Sequence, residues 1–140
     1  MSNVQLVYCS RGIRTAIEET LVDIGRVARS HNATKGISGA LCFAYGEFLQ
    51  VLEGPPVAVN ELYIKITRDH RHDKVQLLGY SPIEKSNFSM WSMKTINLAN
   101  EGSAEARFLV QHQNFARFTP SALSAADAVS LLVQLARVMG

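Results

Sequence analysis

The chain opens on an apolar run of β-forming residue types, VQLVYC at 4–9, which predicts a first strand. Turn chemistry follows in SRGIR. Over 16–31 the residues Ile17, Leu21, Ile24 and Ala28 recur at helical spacing and predict an amphipathic helix. Thr15, with Glu18 three residues on, matches a capping box at its start. GISGALCFA, 36–44, reads as a second strand, and Tyr45 and Gly46 connect it tightly to a third at 47–53, as in a hairpin. Pro55 and Pro56 end that strand and favour a helix start. Val59, Leu62, Tyr63 and Ile66 then mark one face of a second helix, about 57–70. A fourth strand is predicted near 75–83 and a fifth at about 91–98.

This order predicts an α+β sandwich of ferredoxin-like type, βαββαββ, with two helices on one face of a five-stranded mixed sheet. In this reading the first and third strands lie side by side and parallel, which makes Tyr8 and Gln50 cross-strand neighbours. The texture changes at Glu101, Gly102 and Ser103. Phe108, Leu109, His112 and Phe115 fall at helical spacing within 103–116, and Leu123, Ala126, Leu131, Leu132, Leu135 and Val138 mark an Ala- and Leu-rich stretch over 123–139. Residues 1–100 are thus expected to form one domain and 101–140 a C-terminal two-helix extension. Its apolar stripes either cover the open face of the sheet, the favoured use, or serve self-association.

Composition narrows the class. With 47% hydrophobic residues in 140, the chain can build a core. A net charge of +2, from 14 basic and 12 acidic residues that are scattered, gives little pull toward nucleic acid. No apolar run approaches the roughly 18–20 residues that span a bilayer, and the N-terminus has no signal-peptide pattern. Cys9 and Cys42 lack CxxC spacing and sit in apolar stretches, which fits reduced, buried thiols. A cytoplasmic protein with no membrane and no nucleic-acid partner is expected.

Gln50 poses the chemical question. In the strand FLQVLEG it shares a face with Phe48 and Leu52, and a buried amide needs hydrogen-bond partners. No local signature unites a nucleophile, a base and an orienting group. DHRHD, 69–73, invites a metal, yet on a helix His70 and His72 point about 200° apart, and a charge cluster at a helix end is favoured, with no metal site. Gly36 and Gly39 match neither a P-loop nor a dinucleotide fingerprint. What remains are inward polar groups: Tyr8 on the first strand, Asn32 after the first helix and Gln50 in the third strand, with Trp91 and Met93 sharing a face of the last. Singly, each is ordinary core or capping chemistry. Together, Tyr8, Asn32 and Gln50 suit a planar, amide-edged ligand held between two helices, and a flavin ring has such an edge.

The segments LVYCS (6–10), HNATKGISGAL (31–41), FLQVLEG (48–54), LYIKITRDHRH (62–72) and FSMWSM (88–93) together resemble the BLUF family of flavin-using blue-light sensors, short stand-alone type. The resemblance covers nearly all of 4–98 in order. It implies the ferredoxin-like fold with a flavin, FAD or FMN, between the two helices. It implies a photoactive pair, Tyr8 and Gln50, and a cofactor set of Ile24, His31, Asn32, Gln50, Lys65, Ile66, Asp69, Arg71 and His72. It assigns Trp91 and Met93 to signal relay. Light then drives electron and proton transfer from tyrosine to flavin, the glutamine amide rearranges, and a small reversible red shift results. The resemblance implies no enzymatic activity, a downstream protein partner and a homo-oligomer. Lys65 stands where some members have Arg, and Ala28 where some have Ser. A small flavin-dependent enzyme and a chromophore-free interaction module are the competing readings.

Overall fold

The computed structural model describes residues 2–13, 17–98 and 119–138; the Thr15 capping box and the helix expected over 103–116 lie outside the described residues. The strands β1 (Asn3–Gly12), β2 (Ser38–Ala44), β3 (Glu47–Gly54), β4 (His72–Ile83) and β5 (Lys94–Asn97) form one sheet in the order β4-β1-β3-β2-β5. The helices α1 (Ile17–Val27), α2 (Pro56–Thr67) and α3 (Ala125–Val138) pack on it. β2 and β5 pair parallel and the other pairs are antiparallel, so the sheet is mixed. The architecture is the ferredoxin-like α+β one expected from the sequence, with a C-terminal helix.

One expectation is corrected. β1 and β3 are neighbours, but antiparallel, with Tyr8 opposite Gln50. The α1 crossover makes β2 run the same way as β1. The Tyr45–Gly46 turn, with φ of 52° and 82°, then reverses the chain, so β3 enters between them running against both. Positive φ at both central residues is the I′ geometry that matches strand twist in a two-residue hairpin.

Alternation along the strands sorts side chains to two faces. Leu6, Tyr8, Leu41, Phe43, Phe48 and Leu52 meet Leu21 of α1 and Val59 of α2. On the opposite face Val7, Cys42, Leu49, Val51 and Ile96 meet Leu131, Leu132 and Leu135 of α3. Helix α3 therefore covers the face that α1 and α2 leave open. Its start is fixed by Ser124, whose Oγ accepts the Asp127 amide at 3.1 Å. Of the apolar residues noted there in sequence, Leu131, Leu132 and Leu135 point into this core, whereas Ala126 and Val138 face solvent. Both cysteines are free and buried, and burial pushes the Cys42 thiol up to about 12.

Gly79 of β4 lies under the first residue of α3. A Cβ there would sit 2.5 Å from the Ala125 Cβ. Gly79→Ala is accordingly expected to lift the start of α3 and destabilise the protein by about 1–3 kcal/mol. Thermal unfolding checks this. A melting temperature equal to that of the parent would mean that α3 does not dock on β4 in solution.

Candidate functional site

The register sets the floor of a slot between α1 and α2. Tyr8 faces Gln50 across one strand pair, and Leu41 faces Gln50 across the next, so three side chains form one row. Phe48 extends that floor. Ile24, Val27 and Ala28 line the α1 side, and Leu62, Lys65 and Ile66 the α2 side. The cavity has a volume of about 210 Å³. At its buried end stand Asn32, Gln50 and Met93; at its solvent end stand Asp23, Asp69, Arg71 and Lys65.

Local structure explains how Asn32 arrives there. Helix α1 passes into a π-helical turn over Ala28–Asn32. The Ser30 hydroxyl donates back to the carbonyls of Arg26 and Val27 at 3.2 and 3.1 Å, which competes with regular helix pairing. Such wide turns often sit at functional sites because they re-aim a side chain. The Asn32 carbonyl accepts the amides of Lys35 and Ile37 at 3.1 and 2.9 Å, and its side-chain Nδ2 reaches the Ser92 carbonyl at 3.5 Å. His31, on the same turn, faces solvent and does not line the slot.

The buried end is a short relay. The Tyr8 hydroxyl donates to Gln50 Oε1. Gln50 Nε2 donates in turn to the Met93 sulfur at 3.3 Å. Tyr8 and Gln50 are 3% and 2% exposed. Burial, reinforced by Tyr63 and Asp69, holds the Tyr8 phenol well above its ordinary value of 10.0 and therefore protonated. The Tyr63 ring of α2 stands 5.5 Å from that of Tyr8, tilted by 51°.

The solvent end is ionic. Arg71 grips Asp69 through Nε and Nη2 at 2.7–3.1 Å and reaches Asp23 of α1 through Nη1 at 3.1 Å. Those bonds hold the Asp69 carboxyl below its ordinary value and raise the Arg71 guanidinium. His72 donates from Nε2 to the Ile66 carbonyl at 2.6 Å, which leaves Nδ1 to accept the Ser10 hydroxyl at 2.7 Å. The helix ends at Thr67, so Arg71 lies beyond it and His72 opens β4.

Of the residues singled out in sequence, Tyr8, Ile24, Asn32, Gln50, Lys65, Ile66, Asp69, Arg71, His72 and Met93 line one slot. Trp91 does not. It packs half-buried on the α3 side, its ring centroid 6.3 Å from that of Phe88. Thr20 and Asp23, which also line the slot, were missed, although both are polar residues beside the apolar stripe of α1. The lining fits a flavin: apolar walls from both helices, amides at the buried end for a ring with carbonyls and an imide, and at the open end Lys65 beside an Arg71 paired with Asp23 and Asp69 for a polar, phosphate-bearing tail.

Comparison with known proteins agrees. A family model described as "BLUF: Sensors of blue-light using FAD" matches residues 4–94. Photoactivated adenylate cyclase subunit alpha of Euglena gracilis is 37% identical over 82 residues, which is 59% of this chain and 8% of that protein. Subunit beta is 36% identical over 89 residues, 63% of this chain and 10% of that protein. The chain thus spans only about a tenth of these curated relatives. Among solved structures, the photo-activated state of BlsA superposes with a TM-score of 0.83 at 29% identity, over 96% of this chain and 94% of that one. The dark state of BlrB, a BLUF protein, gives 0.79 at 29% identity, over 98% and 97%. The site, the fold and the matched segment lead to one conclusion: the chain belongs to the BLUF family of blue-light sensors.

Proposed function

We propose that this chain senses blue light through a flavin held between α1 and α2, and that Tyr8 and Gln50 are its photoactive pair. The observation that carries the reading is the buried relay from the Tyr8 hydroxyl through the Gln50 amide to the Met93 sulfur. Asn32 and Gln50 hold the polar edge of the ring, and Ile24 and Ile66 flank it. Lys65, Asp69, Arg71 and His72 position the tail. FAD is the assigned flavin, in keeping with the description of the matching family.

A flavin held there would supply a chromophore for blue light that takes up one electron when excited. Tyr8 supplies that electron, and its phenolic proton leaves along the hydrogen bond to Gln50 Oε1. Gln50 carries a donor and an acceptor on one terminus, so turning its amide reverses the pattern it presents. Turned, it offers oxygen to the Met93 sulfur, and two acceptors form no bond. Tyr8 then regains electron and proton, so no net redox change remains. The lasting change is the amide orientation and the loss of the hold on Met93, a shift between two states no larger than their difference in interaction.

Met93 and Trp91 relay that change to a protein partner or to self-association, and the chain performs no catalysis of its own. Residues 1–100 form the sensor and 101–140 its C-terminal extension, in the cytoplasm. The test is an absorption spectrum of the purified protein in the dark and just after blue light. A flavin spectrum that shifts slightly red and returns in darkness is expected. A flavin spectrum that bleaches instead points to redox chemistry, and a protein that takes up no flavin defeats the reading.

A further inference from the structure

Glu53 is a carboxylate 1% exposed, three residues along β3 from Gln50. It points to the α3 side of the sheet, opposite the slot. Its oxygens are fully engaged. Oε1 accepts the Ser86 hydroxyl at 2.9 Å and the amides of Asn87 and Phe88 at 2.8 and 3.2 Å. Oε2 accepts Gln5 Nε2 at 2.9 Å and Asn87 Nδ2 at 3.0 Å. Four of these five bonds come from one short stretch of the β4–β5 connection. A buried charge is costly unless such donors surround it, and a surface loop is not ordinarily held this way.

The clamped stretch leads straight to the relay. Phe88 is fully buried and packs on Trp91, whose carbonyl accepts the Gly39 amide at 3.2 Å. Two residues on, Met93 accepts from Gln50 on the other face. β5 begins at Lys94. The connection is therefore held at 86–88 by Glu53 and at 94 by the sheet, and the intervening 89–93 carries both Trp91, tied to Gly39 of β2, and Met93. Trp91 lies within that stretch on the face that α3 covers, and it is the large side chain there through which release of Met93 can be passed on.

We propose that Glu53 is a positioning residue of the light response: it fixes the near end of segment 89–93, so that release of Met93 is delivered to Trp91 on the α3 face. The light-driven half rests on the photosensor reading above; the clamp itself does not.

Trp91 is the only tryptophan, so its indole N–H gives a single resonance and a direct readout. The experiment compares the parent with Glu53→Gln, first without flavin and then loaded with FAD. In flavin-free protein, hydrogen exchange at the indole is expected to be about tenfold faster in the variant, because local opening no longer breaks the clamp. In loaded protein, the red shift keeps its size, since Tyr8 and Gln50 are untouched. The light-induced displacement of the indole resonance, present in the parent, is lost in the variant. A role in folding alone leaves that displacement intact at an intact red shift. Ser86→Ala with Asn87→Ala removes two side-chain donors from exposed positions and provides the same readings where Glu53→Gln does not fold. Unchanged indole exchange in the folded variants overturns the clamp, and an unchanged light displacement overturns its part in signalling. A parent protein with no red shift sinks the photosensor reading and the delivery of motion with it, while the flavin-free comparison still decides the clamp.

Discussion

Replacing Tyr8 with Phe leaves a protein that takes up flavin but shows no reversible red shift. The ring stays, with its apolar contacts to Tyr63 and the slot floor, so binding should change by no more than a few-fold. What disappears is the proton that runs to Gln50 Oε1. Phenylalanine is also a far poorer electron donor than a phenol, so neither electron nor proton is delivered and the amide is given no reason to turn. A light-induced shift of parental size in this variant would remove Tyr8 from the mechanism. Stability gives a second reading. The Gln50 carbonyl loses its partner, at about 1–3 kcal/mol near neutral pH. Above pH 10 part of that difference closes. The folded state holds the Tyr8 phenol above its ordinary 10.0, so its contribution is complete below about 10 and is lost as pH rises toward the folded value, because the unfolded chain ionises first. The Phe variant lacks this alkaline component, and its unfolding midpoint should fall less steeply there.

Much of the fold was legible because the apolar pattern changes period cleanly between helices and strands. The hairpin at Tyr45–Gly46 and the proline start of α2 lie where local chemistry puts them. Direction in the sheet was not legible in the same way. Period-two alternation is identical for a parallel and an antiparallel strand, so only the turn count, a crossover followed by a hairpin, fixes β3 against β1. β4 was drawn three residues short because its pairing with β1 slips between Cys9 and Arg11, near Lys74 at a φ of 51°. A bulge breaks alternation and hides the strand's start. That start brings His72 into the slot, so the miss in β4 and the placement of His72 beyond the helix have one cause.

The site divides along the same line. Tyr8, Asn32 and Gln50 were found as polar residues on apolar faces, a signal that survives in sequence because burying them needs partners. Asp23 was not found, because an acidic residue on a surface helix is the commonest thing there; only the Arg71 guanidinium 3.1 Å away gives it meaning. Trp91 and Met93 looked equivalent, two large residues at strand spacing. The strand begins only at Lys94, so no common face binds them: Met93 turns to Gln50 and Trp91 to Phe88.

Gln50→Leu should match Tyr8→Phe in its optical effect and differ in what it leaves behind. Leucine is of similar size, keeps the slot filled and offers no amide to turn, so flavin binds and light produces no lasting shift. A red shift that persists in the leucine variant would assign the rearranging group elsewhere. Now it is the Tyr8 hydroxyl that is buried without a partner, again at about 1–3 kcal/mol. The double variant, Tyr8→Phe with Gln50→Leu, removes both ends of the bond and strands nothing between them. Its stability should lie nearer the parent's than the sum of the single losses, with a coupling of about 1–2 kcal/mol. Strict additivity in flavin-free protein would mean that the two side chains are not bonded before flavin arrives. Coupling there, with both single variants optically inert once loaded, would mean that the chain folds with its photochemical pair already joined, and that flavin enters a slot whose proton path is set.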